Sequence, residues 1–175
     1  RLKGVLGSFK LESHGVDLPN EVAVINRAEL SDTHVQLLLN DTTATPKDTA
    51  QSEIRWKVDL RHLKLKNVSF SMQLPADSMR LAAHVGDAQI NEAEADLKNL
   101  RYGLRSFLLS GTSVIYDVGS MEPAEGFDPS HIALRDIRIG LDSMYYRGRN
   151  MNAVIREFSM NDRSGLSVTS LTGRV

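Results

Sequence analysis

The 175 residues suffice for one domain of ordinary size, and 41% hydrophobic with 25% charged residues is the ordinary mix of a folded chain. With 21 Lys and Arg against 22 Asp and Glu, scattered singly, no net field attracts nucleic acid or an anionic membrane. Zero Cys excludes disulfides, zinc–thiolate centres and cysteine nucleophiles, and no run of eighteen apolar residues is present to span a bilayer.

In chain order the dominant period is two. Arg1 to Val5 already reads as a strand and lacks a signal-peptide core, so a segment of a longer or processed chain is expected. Leu18-Pro19-Asn20 marks a turn, and Ala28 to Leu37 alternates on either side of a break at Ser31-Asp32. Asp41 to Ser52, rich in Thr and Asp, reads as a loop (41–52). Ile54, Trp56, Val58 and Leu60 then alternate with charged residues. After a one-residue offset at Arg61-His62 the alternation resumes through Leu63 and Leu65, then Val68, Phe70, Met72 and Leu74.

Turn signals at Leu74-Pro75-Ala76-Asp77 and Gly86-Asp87 bracket Met79, Leu81, Ala83 and Val85. Ala88 and Ile90 follow. Asn91 to Asn99 favours helix by propensity but keeps the period of two through Ala93, Ala95 and Leu97, so a strand is expected there. Leu100, Tyr102, Leu104, Phe107 and Leu109 lead across Ser110-Gly111 to Val114 and Tyr116. Gly119 to Ser130 holds Pro123, Gly126 and Pro129 and reads as a second loop (119–130). Ile132, Leu134, Ile137, Ile139 and Leu141 form a further strand, and Arg147 to Asn150 a turn. Met151, Ala153, Ile155, Phe158 and Met160 run to a turn at Asn161 to Gly165, before Leu166, Val168 and Leu171.

Alternation of this kind puts apolar and wet side chains on opposite faces of a sheet. The expected fold is therefore all-β, one segment over 1–175, an antiparallel meander punctuated by these turns, with few or no helices. A strand–break–strand unit recurs at Ala28–Leu37, Leu63–Phe70, Phe107–Tyr116 and Ile137–Tyr146, as in stacked repeat architectures. The apolar face needs a cover, and periodicity admits three: a second sheet, as in a sandwich, closure into a barrel, or an open sheet folded over on itself into a trough.

Catalytic signatures are missing. There is no nucleophile elbow, phosphate loop, dinucleotide fingerprint or His-Glu-x-x-His pair, and His14, His34, His62, His84 and His131 share no spacing. Glu92 with Glu94, Asp87 with Glu92, His14 with Asp17, Asn40-Asp41 and Asn161-Asp162 are the pairs that bear on hydrolysis or metal binding; each reads more simply as a solvated strand face or turn. No enzyme activity, cofactor or metal is expected.

The words Phe127-Asp128-Pro129-Ser130-His131-Ile132, Met144-Tyr145-Tyr146-Arg147-Gly148, Met151-Asn152-Ala153-Val154-Ile155 and Ser164-Gly165-Leu166-Ser167-Val168 resemble a recurrent module of TamB-type, AsmA-like envelope proteins of the Bacteroidetes. Trp56–Leu60 with Leu63–Phe70 is similar to that family's strand–break–strand unit, so the likeness covers most of 54–175. The resemblance implies a periplasmic β-protein, anchored in the inner membrane by a region outside this sequence, with a taco-shaped apolar groove. It implies a role in phospholipid transport between the two membranes and in outer-membrane protein assembly, with acyl chains and an outer-membrane assembly barrel as partners. The alternative is a closed sandwich of structural or adhesin type. On phase, the groove lining is expected to be Trp56, Val58, Phe70, Leu81, Val85, Ile90, Leu104, Leu109, Val114, Tyr116, Ile137, Ile139, Tyr146 and Ile155.

Overall fold

The computed structural model describes residues 1–39, 55–75, 78–119 and 122–175. Its elements are all strands: β1 (Leu2–Val5), β2 (Ser8–Asp17), β3 (Val22–Leu38), β4 (Lys57–Leu74), β5 (Met79–Asp96), β6 (Arg101–Val118), β7 (His131–Arg147), β8 (Asn150–Asp162), β9 (Ser167–Val168) and β10 (Gly173–Arg174). They form one open sheet in which β3 to β8 lie side by side in chain order. β1 and β2 run end to end along the free side of β3, and β9 and β10 along the free side of β8. The loop expected at 41–52 lies outside the described residues; the described part of 119–130 carries no strand.

Two expectations are corrected. The meander is not antiparallel throughout: β3 and β4 pair in parallel, with Val22 opposite Lys57 and Leu38 opposite Gln73. A parallel pair needs a long connection, which the stretch from Leu38 to Lys57 supplies. Second, Ser31-Asp32, Gly86-Asp87 and Ser110-Gly111 are not turns. They lie inside β3, β5 and β6, which continue through them. The chain reverses elsewhere, including Leu97 to Leu100, where the sequence suggested more strand.

These interior breaks line up across the sheet. Gly7, Asp32, Asn67, Gly86 and Gly111 fall in one row, because the registers on either side are continuous from β3 to β6. Asp32, Asn67 and Gly111 have φ of 50°, 53° and 59°, and Asp136 on β7 (φ 54°) sits beside the row. The left-handed region is open to Gly and tolerable to Asp and Asn, which explains the composition of the row. Asn67 Nδ2 donates to Asp32 Oδ1 at 2.7 Å. Thr33 and Thr112, both buried, turn their hydroxyls back onto the carbonyls of Ser31 and Ser110 at 3.0 and 3.4 Å. Those bonds satisfy carbonyls at the point where the ladder is interrupted.

A second row runs through Asn26, Arg61, Glu92 and Arg105, with Glu92 at φ 51°. Its outer side is polar: Arg105 Nη1 lies 2.8 Å from Glu92 Oε1, and Asn91 bridges His62 Nδ1 and Ser106 Oγ at 2.9 Å each. At each row two successive residues leave the apolar phase, as Arg61-His62 and Lys66-Asn67 do in β4, where all four are exposed. We call these two rows creases; they divide each strand into a middle stretch, the floor, carrying Leu63 and Leu65 of β4, and a flanking stretch, or wall, on either side. No second layer covers this sheet among the described residues. Every substantial contact between elements is between hydrogen-bonded neighbours. Among the described residues only Ala23, Ala88, Ile137 and Ala153 are buried apolar residues, and no large side chain is fully enclosed.

Candidate functional site

The register places thirteen of the fourteen lining residues expected from phase on one face, and Trp56 lies just before β4, outside the paired registers. On the first wall, Val58 stands opposite Ala23 and Ala95, and Leu104 between Ala93 and Met144. Trp56, one row further out, accepts the amide of Leu97 on its carbonyl at 2.9 Å. Tyr146 stands opposite Tyr102 and Met151, and the two tyrosine rings lie 5.9 Å apart at 30°. On the floor, Ile90 sits between Leu63 and Phe107, Leu109 between Ala88 and Ile139, and Ile155 opposite Leu141. On the second wall, Val85 pairs with Val68, Ile137 with Thr112, Phe70 with Val35 and Ala83, Val114 with Ala83 and Leu134, and Leu81 with Tyr116. All are half-buried except Ile137, which is buried at 6% exposure.

Sequence reasoning left residues of the same face out of the lining. Leu63, Phe107 and Leu141 complete the floor, and Phe9 and Leu11 of β2 continue it opposite Leu30 and Ala28. Leu2, Leu6, Phe9 and Leu11 are 51–70% exposed at one edge of the sheet, and Leu171 and Val175 are 45% and 68% exposed at the other. Contiguous exposed apolar surface on a folded protein makes this face the candidate for binding. Phase alone would have found these residues.

The polar groups weighed for chemistry do not converge. Asp17 accepts the amide and Nδ2 of Asn20 at 3.1 and 2.6 Å, which lowers its pKa and commits it to a turn rather than to His14. Asp96 does the same with Asn99, so Asp17-Leu18-Pro19-Asn20 and Asp96-Leu97-Lys98-Asn99 are one turn used twice. Glu92 is paired with Arg105, and Glu94 is exposed one outward row away. Asn40-Asp41 lies outside the described residues. Asp162 is buried and accepts the amides of Ser164 and Ala133 at 2.9 and 3.2 Å; Ser164 above all holds its pKa low. Asp128 accepts the amides of Ala124 and Ser130 at 3.0 and 2.9 Å and bonds His131 Nδ1 at 2.9 Å. Those amides first, and His131 after them, hold its pKa down to about 2. Among the described residues no group of three His, Asp or Glu is arranged to hold a metal ion.

A shallow cleft of about 600 Å³ opens on the wet face, over Gly103 and between Glu94, Arg105 and Tyr145. No family model, curated protein or solved structure matches the chain.

Proposed function

We propose that this chain is a non-enzymatic groove segment of a periplasmic envelope protein of TamB-type, AsmA-like character. Its apolar face holds lipid acyl chains during phospholipid transport between inner and outer membranes, or during outer-membrane assembly. One observation carries the acyl-chain part: a single sheet whose apolar residues share one face across β3 to β8, with no covering layer among the described residues. Each buried CH₂ of a hydrocarbon tail contributes about 0.8 kcal/mol, and the face offers no polar anchor along its floor. The envelope setting rests on the sequence resemblance.

Because successive rows look alike, a tail moves across the strands at nearly constant free energy while its headgroup stays in water. Six full-length strands at about 4.8 Å spacing make a path of about 24 Å, comparable to one extended acyl chain. Native mass spectrometry of the purified chain with lipid extraction tests the reading. Copurifying phospholipid is expected, and Val85→Arg or Ile139→Arg should remove it while Gln89→Arg, on the wet face, should not. A lipid-free chain under conditions that preserve known lipid complexes would favour a closed, sandwich-like assembly. Glycan turnover dependent on Glu92 or Glu94 would revive an enzyme.

A further inference from the structure

One rim of the sheet sets two arginines side by side. Its outermost wet-face row reads Lys57, Asp96, Arg101, Arg147, Asn150 across β4 to β8. Arg101 and Arg147 are therefore direct cross-strand partners, an arrangement that destabilises a sheet unless an anion relieves it. The row's one carboxylate, Asp96, accepts the amide and Nδ2 of Asn99 at 3.0 and 2.7 Å; Asn99 above all, and then the charges of Lys57 and Arg101, lower its pKa, so it offsets Arg101 in part and leaves Arg147 without a facing carboxylate in the row. Neither Arg101 nor Arg147 lies within salt-bridge distance of a carboxylate among the described residues, and Arg149 follows two residues on, equally exposed.

One row inward from the arginines, on the apolar face, stand Tyr102 and Tyr146 with their rings 5.9 Å apart. Aromatic rings with polar tips suit the boundary between hydrocarbon and water, and arginine side chains are long enough to reach over a lip one strand thick. Guanidinium pairs bind phosphate oxygens through bidentate, charge-assisted hydrogen bonds.

We infer that the Arg101–Arg147 pair takes the phosphate of a lipid whose acyl chain runs past Tyr102 and Tyr146 into the apolar face, so that this rim selects phosphate-bearing lipids. The inference rests on the acyl-chain reading above and adds a headgroup site and an orientation to it.

Binding of dioleoyl phosphatidic acid, dioleoylglycerol and inorganic phosphate to the chain tests this. At low salt, phosphatidic acid should bind on the order of tenfold more tightly than dioleoylglycerol. That ratio should fall toward one in Arg101→Gln/Arg147→Gln and at high salt, with dioleoylglycerol binding unchanged. Lipid-free Arg147→Gln should also melt about 1–3 °C higher than the parent, because the like-charge pair is gone. Equal binding of the two lipids, or a preference that survives the double substitution, overturns the headgroup site while leaving the acyl-chain reading intact. Inorganic phosphate competing as well as phosphatidic acid overturns it too, by making the pair a bare ion site. If neither lipid binds, the acyl-chain reading itself fails and the headgroup site falls with it.

Discussion

Gly86 shows what the inner crease demands of a single residue. A Cβ there would stand 2.8 Å from the carbonyl oxygen of Gly111 and 3.1 Å from that of Ser110, both backbone atoms that cannot swing aside. Gly86→Ala should cost about 1–3 kcal/mol in urea unfolding. Gly140→Ala should be near neutral, since its new Cβ would meet the flexible side chain of Arg156 at 3.4 Å. Equal effects at the two sites would count against the close approach. Asp128 sets a pH limit at the same scale. Its folded pKa of about 2 lies below the ordinary 3.8, so its clamp on Ala124, Ser130 and His131 contributes stability above about pH 4. That contribution disappears as the pH falls through 2. Protection factors of the Ala124 and Ser130 amides, which remove the intrinsic slowing of exchange in acid, should fall over that window in the parent but not in Asp128→Asn.

The strand, at the next scale, is where sequence and structure agree best and also where they part. Alternation identified the apolar phase of β4 to β8, because inward residues such as Val58, Ile90 and Leu109 keep their period between breaks. Asp32, Gly86 and Gly111 read as turns in the sequence, since a residue suited to the left-handed region serves a hairpin and an in-strand crease equally well. Only pairing tells them apart: Asp32, Asn67, Gly86 and Gly111 become a line once the strands are side by side. Parallel pairing of β3 with β4 was illegible for the same reason, as nothing local to either strand encodes the direction of its neighbour. The recurring unit seen in the sequence is thus one long creased strand. Asn67→Val, which puts a β-branched residue at φ 53° and deletes the bond to Asp32, should destabilise the chain by about 1–2 kcal/mol in chemical denaturation. A loss below a few tenths would mean the crease tolerates any residue.

At the scale of the whole molecule, no large side chain among the described residues is completely buried, and no second layer lies on the apolar face among them. Nothing in the sequence alone separated that state from a sandwich core, since the phase of an inward residue is the same under a second sheet or under a lipid. A ligand that binds only the folded sheet adds about 2.7 kcal/mol of stability at a hundredfold excess over its Kd, so acyl ligands should raise the melting temperature in a concentration-dependent way. The most direct test of the central claim is a photo-crosslinking scan with a probe placed one residue at a time along β4 in the presence of phospholipid. Crosslinks to lipid are expected at 58, 60, 63, 65, 68 and 70 and not at 59, 61, 62, 64, 66, 67 or 69, a period of two with phase slips at both creases. Uniform labelling along the strand, or none at the apolar positions, would contradict an acyl chain lying on that face.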